Sequence, residues 1–491
     1  MNREDVVSYP IPMNQIARKI NPKLAKLITN IVYVGALAEI LGIEQSALES
    51  AVKKQFKGKD SAIELNTTAL EMGRAYFREN LSKQDPYIVA ERAIETPQFF
   101  VEGNEAIALG SLFGGAQLLA WYPITPSSSL AEGMIAWIPK IRTNDEGEST
   151  CAVIQAEDEL AAAGMVLGAG WAGARGMTAT SGPGISLMQE FIGLAYFAEI
   201  PSVFWDVCRV GPSTGLPTRT QQSDITMLYE GSHGDTQHIV LFPGTVEECF
   251  EFGWRAFDYT ERFQTPVFGM SDLDLGMNRW ACSGFEYPSE NMDRGKVVRD
   301  RDVFEAFEEF GRYLDVDGDG IPYRTLPGSG MAPILYRGTG HNPMGVYSEK
   351  PHDYLQLMTR LRNKIDGARD QLPAPILREE KECEIGIIYV GSMENTIQEI
   401  DDLLEATGIK VSQCRLRALP AHSEIENFID RHEKTIVLEI NRDGQLYGIL
   451  RKEIPIDLVP KLLSVAYSDG MPPRGKIYAD LILKTLKEGQ L

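Results

Sequence analysis

The sequence predicts an α/β protein, because apolar runs of strand length alternate with helical stretches between about residues 100 and 280. The predicted strands are residues 176–181, 202–207, 238–243 and 266–271, which read GMTATS, SVFWDV, HIVLFP and PVFGMS. A helical stretch over 185–199 separates two of them. Continuous apolar strands joined by crossover helices are typical of a buried parallel sheet. Ligands bind such sheets at the carboxyl ends of the strands, so functional residues are expected just after each strand.

The amino-terminal part of the chain predicts helices alone. From Asn21 onward apolar residues recur at helical spacing, and Pro22 suits a first helical position. Further helices are predicted over 44–56, which Gly58 ends, and over 62–79. We therefore expect residues 1–85 to form a small helical segment that is too small to have a chemistry of its own.

The remainder of the chain predicts a connection followed by a second α/β unit. Residues 286–375 are rich in Gly, Pro, Arg and Asp, and only one helix is predicted there, over 302–313. Periodicity returns in the last part, with strands over 385–390 and 435–439 and a helix over 396–406. The predicted domains are 1–85, 95–285, 286–375 as a connecting region, and 376–491.

Composition narrows the class of function. The chain has 491 residues, of which 43% are hydrophobic and 24% charged, as is typical of a globular protein of about three domains. Its formal net charge of −21 repels phosphate backbones and anionic lipid, so we expect no nucleic acid and no membrane as a partner. Any site for an anionic substrate must therefore be local.

The six cysteines and the amino terminus indicate a reducing, cytoplasmic location. The cysteines lie dozens of residues apart with no CxxC pair, so the sequence predicts core thiols and no metal or iron–sulfur site from this chain. The opening residues are acidic where a signal peptide is basic. The best apolar stretch, 28–43, is short for a bilayer span and contains Glu39.

Two carboxylates open a helix rich in Ala and Gly. Glu157 and Glu159 precede this close-packed stretch, so one of them is expected to face a poorly solvated surface. Burial favours the protonated form of a carboxyl, which could then donate a proton to a ring nitrogen. The alternative is that both acids are solvated on a first helical turn, where the helix dipole favours them.

Two loops after predicted strands could bind an anion. In SGPG (181–184), Gly182 and Gly184 allow a tight bend into a helix amino terminus, although such a turn is often only a turn. The loop 206–224 holds Arg209 and Arg219, and an arginine at the end of a strand can bind a carboxylate through two N–H groups. The competing interpretation pairs such an arginine with a surface acid such as Asp224.

Three further features imitate functional motifs. The run DVDGDG places Asp315, Asp317 and Asp319 as in a calcium loop, but position twelve is a leucine, so a tight Asp/Gly turn is the favoured interpretation over a cation site. The same GDG also imitates a magnesium–diphosphate motif, but no apolar strand precedes it. His233 lies in a Gly-rich loop, where a histidine more often turns the backbone than transfers protons.

Three long motifs together resemble the alpha subunit of 2-oxoacid:ferredoxin oxidoreductases, most of all the 2-oxoglutarate type. They lie in family order at residues 103–128, 156–190 and 209–224, and the resemblance covers about residues 95–490. It implies a thiamine diphosphate pyrimidine-binding, transketolase-like domain followed by a transketolase carboxyl-terminal-like domain. Residues 1–85 resemble only the last, helical part of the family's gamma domain.

The same resemblance implies roles for individual residues. Thr125 in YPITPSS and Arg209 match the residues that bind the carboxylate of the 2-oxoacid, and Glu159 matches the glutamate that bonds to the pyrimidine ring. Arg219 is the choice for a distal carboxylate. The complete expected set is Thr125, Arg209, Arg219 and Ser127 for substrate, and Glu159, Tyr122, Pro123, Ile124, Gly182 and Gly184 for the cofactor, with Glu159 catalytic.

The resemblance also implies a reaction and partners. The expected reaction is reversible oxidative decarboxylation of 2-oxoglutarate to succinyl-CoA and CO₂, with coenzyme A as co-substrate and ferredoxin as electron acceptor. A beta subunit is expected to carry Mg²⁺, a 4Fe–4S cluster and the diphosphate half of the thiamine diphosphate site, in an (αβ)₂ heterotetramer. The alternatives are pyruvate, branched-chain or aryl 2-oxoacids as substrates, a non-catalytic partner subunit, or a self-contained transketolase-like enzyme.

Overall fold

The computed structural model describes residues 6–90, 96, 98–289, 291–331, 336–381 and 383–488. Two compact units are separate in it, Met1–Pro97 and Gln98–Leu491. The first consists of helices, and the second is built on two sheets.

The amino-terminal unit is a helical bundle, as the sequence predicts. Its helices are α1 (Met13–Ile20), α2 (Ala25–Leu41), α3 (Gln45–Gln55) and α4 (Asp60–Asn80). Helices α2 and α4 cross at two glycines: a Cβ on Gly35 would lie 2.1 Å from the Leu70 carbonyl oxygen, and one on Gly73 would lie 2.1 Å from that of Val32. The absence of a side chain at both positions lets the two backbones touch. A small apolar core that includes Ile28 and Val32 fills the bundle.

Within the described residues, no single helix is both long and apolar enough to cross a membrane. The helices α1 and α2 pass the same test of length and composition only as a pair, and they are bent against each other by 119°.

The second unit begins with a mostly parallel sheet. Across the described part of the chain this sheet has seven strands in the order β12-β6-β7-β5-β4-β2-β3. Its strands are β2 (Leu118–Trp121), β3 (Ala152–Gln155), β4 (Gly176–Thr180), β5 (Ser202–Cys208), β6 (Ile239–Leu241), β7 (Pro266–Asp272) and β12 (Ala418–Leu419). A separate antiparallel pair joins β1 (Phe99–Glu102) to β8 (Arg279–Cys282).

Helices connect and cover this sheet. They are α5 (Gly103–Phe113), α6 (Ser128–Ile141), α7 (Glu159–Ala172), α8 (Gly182–Ala198), α9 (Ile225–Tyr229), α10 (Val246–Phe263), α11 (Leu273–Met277), α12 (Arg301–Glu305) and α13 (Pro351–Ala368). One sheet face packs Val203 and Trp205 against α5 and α10, and the other packs Phe204 and Phe268 against α7 and α8. Both faces are therefore buried, which explains why the strands read as continuous apolar runs.

The second sheet is smaller. In the residues described, its order is β14-β13-β10-β11-β9, parallel except for the edge strand β9. The strands are β9 (Ile376–Arg378), β10 (Ile385–Tyr389), β11 (Ser412–Arg415), β13 (Lys434–Glu439) and β14 (Leu462–Ala466). The helices are α14 (Glu394–Glu405), α15 (Glu424–Arg431), α16 (Gln445–Glu453) and α17 (Gly475–Glu488).

The two sheets share one core. A continuous apolar cluster joins Phe204 and Phe268 of the first sheet to Ile388 and Val437 of the second. The chain also crosses back: β12, from the second α/β region, pairs antiparallel with β6 through Ala418–Leu241 and Leu419–Val240. The carboxyl-terminal region therefore completes an edge of the first sheet.

The α/β fold class is confirmed, and the four predicted strands of the first sheet all form. The helix expected over 302–313 is wrong in its length, since α12 ends at Glu305. The sequence analysis also missed α13, which lies in the region predicted to be a connection. This helix buries Leu357, Leu361 and Ile365 against α8. The predicted domain boundaries at 285 and 375 stay predictions.

Candidate functional site

The predicted site residues all follow neighbouring strands of the first sheet. Strands β3, β2, β4 and β5 lie side by side and parallel. The segment 122–127 follows β2, Glu159 follows β3, the SGPG turn follows β4, and Arg209 follows β5. Because the carboxyl ends of parallel strands meet at one edge, these residues gather there.

The hydroxyl-rich segment after β2 is a tight turn. The Ile124 carbonyl oxygen accepts hydrogen bonds from the backbone N–H groups of Ser127 and Ser128, at 2.9 and 3.1 Å, and from the Ser127 hydroxyl at 3.0 Å. Ser127 is buried, so its hydroxyl serves the turn. Tyr122 and Thr125 remain exposed, and the Thr125 side chain is free to meet a ligand.

A buried asparagine from another helix fixes this turn by hydrogen bonds. Asn104, in α5, donates through Nδ2 to the Pro126 carbonyl oxygen at 2.9 Å and to the Ser129 hydroxyl at 2.8 Å. The sequence analysis missed Asn104. Its only signal is a polar residue in the first turn of a helix whose later residues are mostly apolar.

Arg209 reaches from the end of β5 to the turn that carries Thr125. Its Nη1 donates to the Thr125 carbonyl oxygen at 2.7 Å and its Nη2 to the Thr214 carbonyl oxygen at 2.8 Å. The residue is only 7% exposed, and its Nε is buried with no acceptor among the described residues. The structure thus brings Thr125 and Arg209 together and leaves guanidinium N–H groups available for an anion.

Glu159 is the first residue of α7 and is 7% exposed, whereas Glu157 lies exposed two residues earlier. The expectation that one of the two acids is buried is confirmed. Asp158 caps the helix instead, since its carboxylate accepts from the Ala161 N–H at 2.7 Å. Among the residues that the structure describes, none donates a hydrogen bond to the Glu159 carboxylate. The carboxylate is therefore available to accept a ligand at this edge of the sheet.

The two glycines of SGPG are required by close packing. A Cβ on Gly184 would lie 2.0 Å from Thr180 Oγ1 and 2.9 Å from Glu159 Cγ, so α8 begins directly against the glutamate. A Cβ on Gly182 would lie 2.6 Å from an Asp224 carboxylate oxygen. Any side chain at either position would displace an acid. The start of α8 therefore sets where Glu159 and Asp224 stand.

The loop 209–224 is tied to both sheets. Gln222 donates through Nε2 to the Asp272 carboxylate at 2.9 Å, and Ser392 of the second sheet bonds to the same carboxylate. The Gln222 backbone pairs with Ile440 at 2.8 Å and with the Asn441 side chain at 3.0 Å. The carboxyl ends of β7, β10 and β13 thus meet around this loop.

Arg219 lies on the same loop but is exposed. Its backbone pairs with Val210, and among the residues described its guanidinium donates only to the neighbouring Thr218 carbonyl oxygen, at 2.8 Å. Its role toward a distal carboxylate stays a prediction.

The sequence analysis missed a cluster behind this loop, formed by two acids and a thiol, of which Asp206 and Cys208 are buried and Asp224 is half-buried. A carboxylate oxygen of Asp206, Sγ of Cys208 and a carboxylate oxygen of Asp224 all lie within 4.8 Å of one another. The interpretation of Asp224 as a surface partner of Arg209 is wrong, because its carboxylate turns inward and accepts from Cys208 Sγ at 3.0 Å. Alternation along β5 alone could have signalled Asp206, since it follows Phe204 on a buried face.

The features that imitate other motifs have structural roles. Lys296 Nζ lies 2.6 Å from the Asp317 carboxylate and 2.8 Å from that of Asp319. Asp315 accepts from the backbone N–H groups of Gly318 and Gly320 at 2.9 and 2.8 Å, so the predicted Asp/Gly turn is confirmed. His233 is exposed in its loop.

The position of Glu159 fits the pyrimidine ring of thiamine. An aminopyrimidine needs a carboxyl group beside a ring nitrogen, and Glu159 offers a buried carboxyl with no partner in the described part of the chain. The glycines at the start of α8 keep side chains away from it. The Thr125 hydroxyl, after the neighbouring strand β2, and Arg209, after β5, complete a setting for a carboxylate.

Comparison with known proteins supplies the class. Residues 110–298 match the family model of the thiamine diphosphate-binding domain of pyruvate flavodoxin/ferredoxin oxidoreductase. Residues 1–76 match the model of pyruvate ferredoxin/flavodoxin oxidoreductase. The first match contains the whole edge described above, from the hydroxyl-rich turn to the 209–224 loop.

Individual relatives agree. The chain is 31% identical over 475 residues to 2-oxoacid:ferredoxin oxidoreductase 2, subunit alpha, of Aeropyrum pernix, covering 94% of this chain and 72% of that one. It is 34% identical over 374 residues to the 2-oxoglutarate synthase subunit KorA of Methanothermobacter thermautotrophicus, covering 75% of this chain and 95% of KorA.

A solved structure extends the likeness to the fold. The 2-oxoglutarate:ferredoxin oxidoreductase from Magnetococcus marinus, with 2-oxoglutarate, coenzyme A and succinyl-CoA bound, superposes with a TM-score of 0.85 at 30% identity. The match covers 100% of this chain and 82% of that one. The fold and the edge of the first sheet are those of a thiamine diphosphate-dependent oxidoreductase subunit. The chain belongs to the 2-oxoacid:ferredoxin oxidoreductases, as an alpha subunit.

Proposed function

We propose that this chain supplies half of an active site that oxidatively decarboxylates 2-oxoglutarate to succinyl-CoA and CO₂. The observation that carries the proposal is the buried, unpartnered Glu159 beside Gly184 at the start of α8, next to the Thr125–Arg209 pair. The name of the KorA relative and the ligands bound in the Magnetococcus marinus enzyme favour 2-oxoglutarate among 2-oxoacids.

Glu159 would hold the pyrimidine ring of thiamine diphosphate, and Tyr122, Pro123, Ile124, Gly182 and Gly184 would line its place. When bound, this coenzyme supplies the carbon nucleophile and the electron sink that decarboxylation of a 2-oxoacid needs. The carboxyl of Glu159 would bond to the ring nitrogen and exchange a proton with it.

Arg209 and Thr125 would bind the carboxylate next to the keto group. The guanidinium is already held by the Thr125 and Thr214 carbonyl oxygens, so its remaining N–H groups are preorganised. A guanidinium and a hydroxyl stabilise the charge of the carboxylate without forming a bond that would retain it. The carbon dioxide can therefore leave.

The distal carboxylate of 2-oxoglutarate needs a cation of its own, and Arg219 is the proposed one. Its guanidinium is exposed on the loop that carries Arg209. Ser127 completes the predicted substrate set through the turn that it closes.

A beta subunit would bring the other half. The proposed partner holds the diphosphate, Mg²⁺ and a 4Fe–4S cluster, passes electrons singly to ferredoxin, and pairs with this chain in a cytoplasmic (αβ)₂ heterotetramer. Coenzyme A takes the acyl group. The positions of the cysteines support placing the iron–sulfur cluster in the partner. Five of the six are buried in the core, far apart along the sequence, and Cys383 is partly exposed.

The test is an assay of the complex purified with its partner, using 2-oxoglutarate, pyruvate, 2-oxobutyrate and a branched-chain 2-oxoacid with a viologen acceptor. We expect the largest kcat/KM for 2-oxoglutarate. A larger value for any other acid would contradict the proposed substrate and leave the chemistry standing.

The Arg219→Ala variant sharpens this test. It should raise KM for 2-oxoglutarate about tenfold and leave KM for 2-oxobutyrate unchanged, because only the longer acid has a distal carboxylate. Equal effects on both acids would remove Arg219 from this role.

A further inference from the structure

The group formed by Asp206, Cys208 and Asp224 lies directly behind the candidate site. Asp206 and Cys208 point from β5 toward α8, where Asp206 lies beside Thr180 of β4 and Met270 of β7. Asp224 ends the 209–224 loop and lies against Gly182 at the start of α8. The group therefore joins three elements that carry the site: a strand, a loop and a helix.

Two carboxylates cannot both stay charged in this setting. Asp206 is completely buried, and neither of its carboxylate oxygens accepts a hydrogen bond from a residue that the structure describes. The neighbouring groups are an acid and a thiol, and Cys208 already donates to Asp224. A proton on Asp206, donated to Asp224, pairs both acids at once.

We propose that Asp206 and Asp224 share one proton, with Asp206 as the acid and Asp224 as its acceptor. This pair fixes the 209–224 loop to the start of α8. It holds Arg209 in place against Thr125, so that both aspartates act as positioning residues for the 2-oxoacid. The kinetic part of this inference depends on the proposed function, whereas the shared proton does not.

The charges around the pair agree with this assignment. Burial, followed by the charge of Asp224, raises the pKa of Asp206 well above its usual range. Burial also raises the pKa of Asp224, but the hydrogen bond from Cys208, a proton shared from Asp206 and the charge of Arg209 oppose that rise. Burial raises the pKa of the Cys208 thiol well above its usual range, so the thiol stays a donor.

The facing elements add few other titratable groups. From α7, Glu159 lies across Gly184 and Thr180, and from β7, Asp272 lies beside Cys208 but is bonded to Gln222 and Ser392. Arg209 is the cation next to the pair. Asp224 therefore keeps the single negative charge near Arg209, which is 7% exposed, although the two side chains form no ion pair among the described residues.

The shared proton is tested by infrared spectroscopy of the complex at about pH 8. We expect the carbonyl stretch of a protonated carboxylic acid, which Asp206→Asn removes. Glu453→Gln serves as the control, because the pKa of Glu453 is raised to about 7, so Glu453 is largely ionised at this pH and contributes little to the band. Absence of the band in the wild-type complex would overturn the proposal, whatever the variants do.

The same variant gives a second, thermodynamic readout. A buried acid with a raised pKa contributes stability that is present at low pH and is lost as pH rises through that pKa. The Asp206→Asn variant has no titrating group at this position and does not lose this stability. The melting temperature of the variant minus that of wild type should therefore rise steadily between about pH 4 and pH 8. A constant difference would contradict the shared proton. So would a variant that fails to assemble, because the amide reproduces the donor of the protonated acid.

The positioning role is tested by a split between KM and kcat. Asp206→Asn should keep kcat/KM within about threefold of wild type, since its amide still donates to Asp224. Asp224→Asn removes the charge beside Arg209 and should raise KM for the 2-oxoacid about tenfold with little change in kcat. Loss of kcat with unchanged KM would overturn the positioning role.

A divalent metal ion is the competing occupant, since two carboxylates and a thiol are possible ligands. We expect metal analysis of the complex to show no ion that is lost in both Asp206→Asn and Asp224→Asn. Loss of a stoichiometric ion in these variants would overturn the proton assignment. If the 2-oxoacid assay fails while the acid band is present, the proposed function fails and the shared proton stands.

Discussion

The two ends of helix α8 hold buried acids in opposite ways. At its start, Gly182 and Gly184 lie against Asp224 and Glu159, of which Glu159 lacks a donor among the described residues. At its end, about 25 Å away at 1.5 Å per residue, Glu199 is completely buried between two cations of α13. Arg360 donates to both of its carboxylate oxygens, and Lys364 donates at 2.8 Å.

The difference indicates that Glu199 serves stability, whereas Glu159 serves function. Burial alone would raise the pKa of Glu199, but the charges of Arg360 and Lys364 outweigh it and hold that pKa below its usual range. Burial lowers the pKa of Lys364 to about 8, so Arg360 is the lasting counterion. The Glu199 carboxylate is fully paired within the protein, whereas the Glu159 carboxylate has no donor among the described residues, which indicates a ligand.

The largest expected effect is at the incomplete end. Glu159→Gln should lower kcat of the complex by a factor on the order of 10² to 10⁴, because an amide can donate a hydrogen bond to the ring nitrogen but cannot transfer a proton to it. Its melting temperature should stay close to wild type. The control is Glu157→Gln, two residues away and exposed, which should leave kcat unchanged. Unchanged turnover in Glu159→Gln would favour a non-catalytic subunit.

Glu199, at the end of α8, should affect the stability of the protein and not its kcat. Glu199→Gln leaves Arg360 and Lys364 buried without their counterion and should cost about 3–5 kcal/mol of stability. Denaturant unfolding of the complex measures this loss. At a temperature where the variant is folded, kcat should match wild type, and a loss of kcat there would break the separation between the two ends.

Arg209→Ala should lower kcat/KM about a hundredfold for every 2-oxoacid, since its guanidinium faces the carboxylate that all of them share. Arg219→Ala, assayed with 2-oxobutyrate, is the matched control and should show no change. Steady-state kinetics of both variants, measured side by side, test this. If Arg209 only holds the 209–224 loop in shape, Arg209→Ala should lower kcat/KM by less than about threefold, and the predicted role in binding the carboxylate would be contradicted.

The smallest effect concerns Glu453, a half-buried acid away from either end of α8. Glu453 bonds to Tyr229, to Gln237 Nε2 at 3.2 Å and to the Ala421 N–H at 3.3 Å. It lines a cavity of about 820 Å³ that contains no predicted site residue in the described part of the chain. Burial raises the pKa of Glu453 to about 7.

A raised pKa means that Glu453 stabilises the fold at low pH and that this contribution is lost as pH rises through about 7. Glu453→Gln should therefore gain melting temperature relative to wild type between about pH 5 and pH 8. Thermal scans at several pH values measure it. A gain with falling pH would contradict the burial of this acid.

Much of the fold was predictable because it is local. The strands of the first sheet have runs of apolar residues, and the helices of the amino-terminal unit keep their spacing. Helix α13 was missed because its buried face includes Arg360 and Lys364, which read as solvent-facing until Glu199 is known to lie opposite.

The site was predictable only where a residue matched a family motif. Glu159, Thr125 and Arg209 came from such motifs, and the structure places them at one edge of the sheet. Asp206 and Asp224 could not be paired from the sequence, because they are eighteen positions apart and meet only when the loop folds back. Asn104 likewise acts on a turn twenty-two residues away.

The most direct test of the central claim is a structure of the complex with its partner subunit and thiamine diphosphate bound. We expect a Glu159 carboxylate oxygen within about 2.6–3.2 Å of a pyrimidine ring nitrogen, with Thr125 and Arg209 facing the reactive carbon. A Glu159 carboxylate that bonds to water or to protein, with the ring bound elsewhere, would contradict the account.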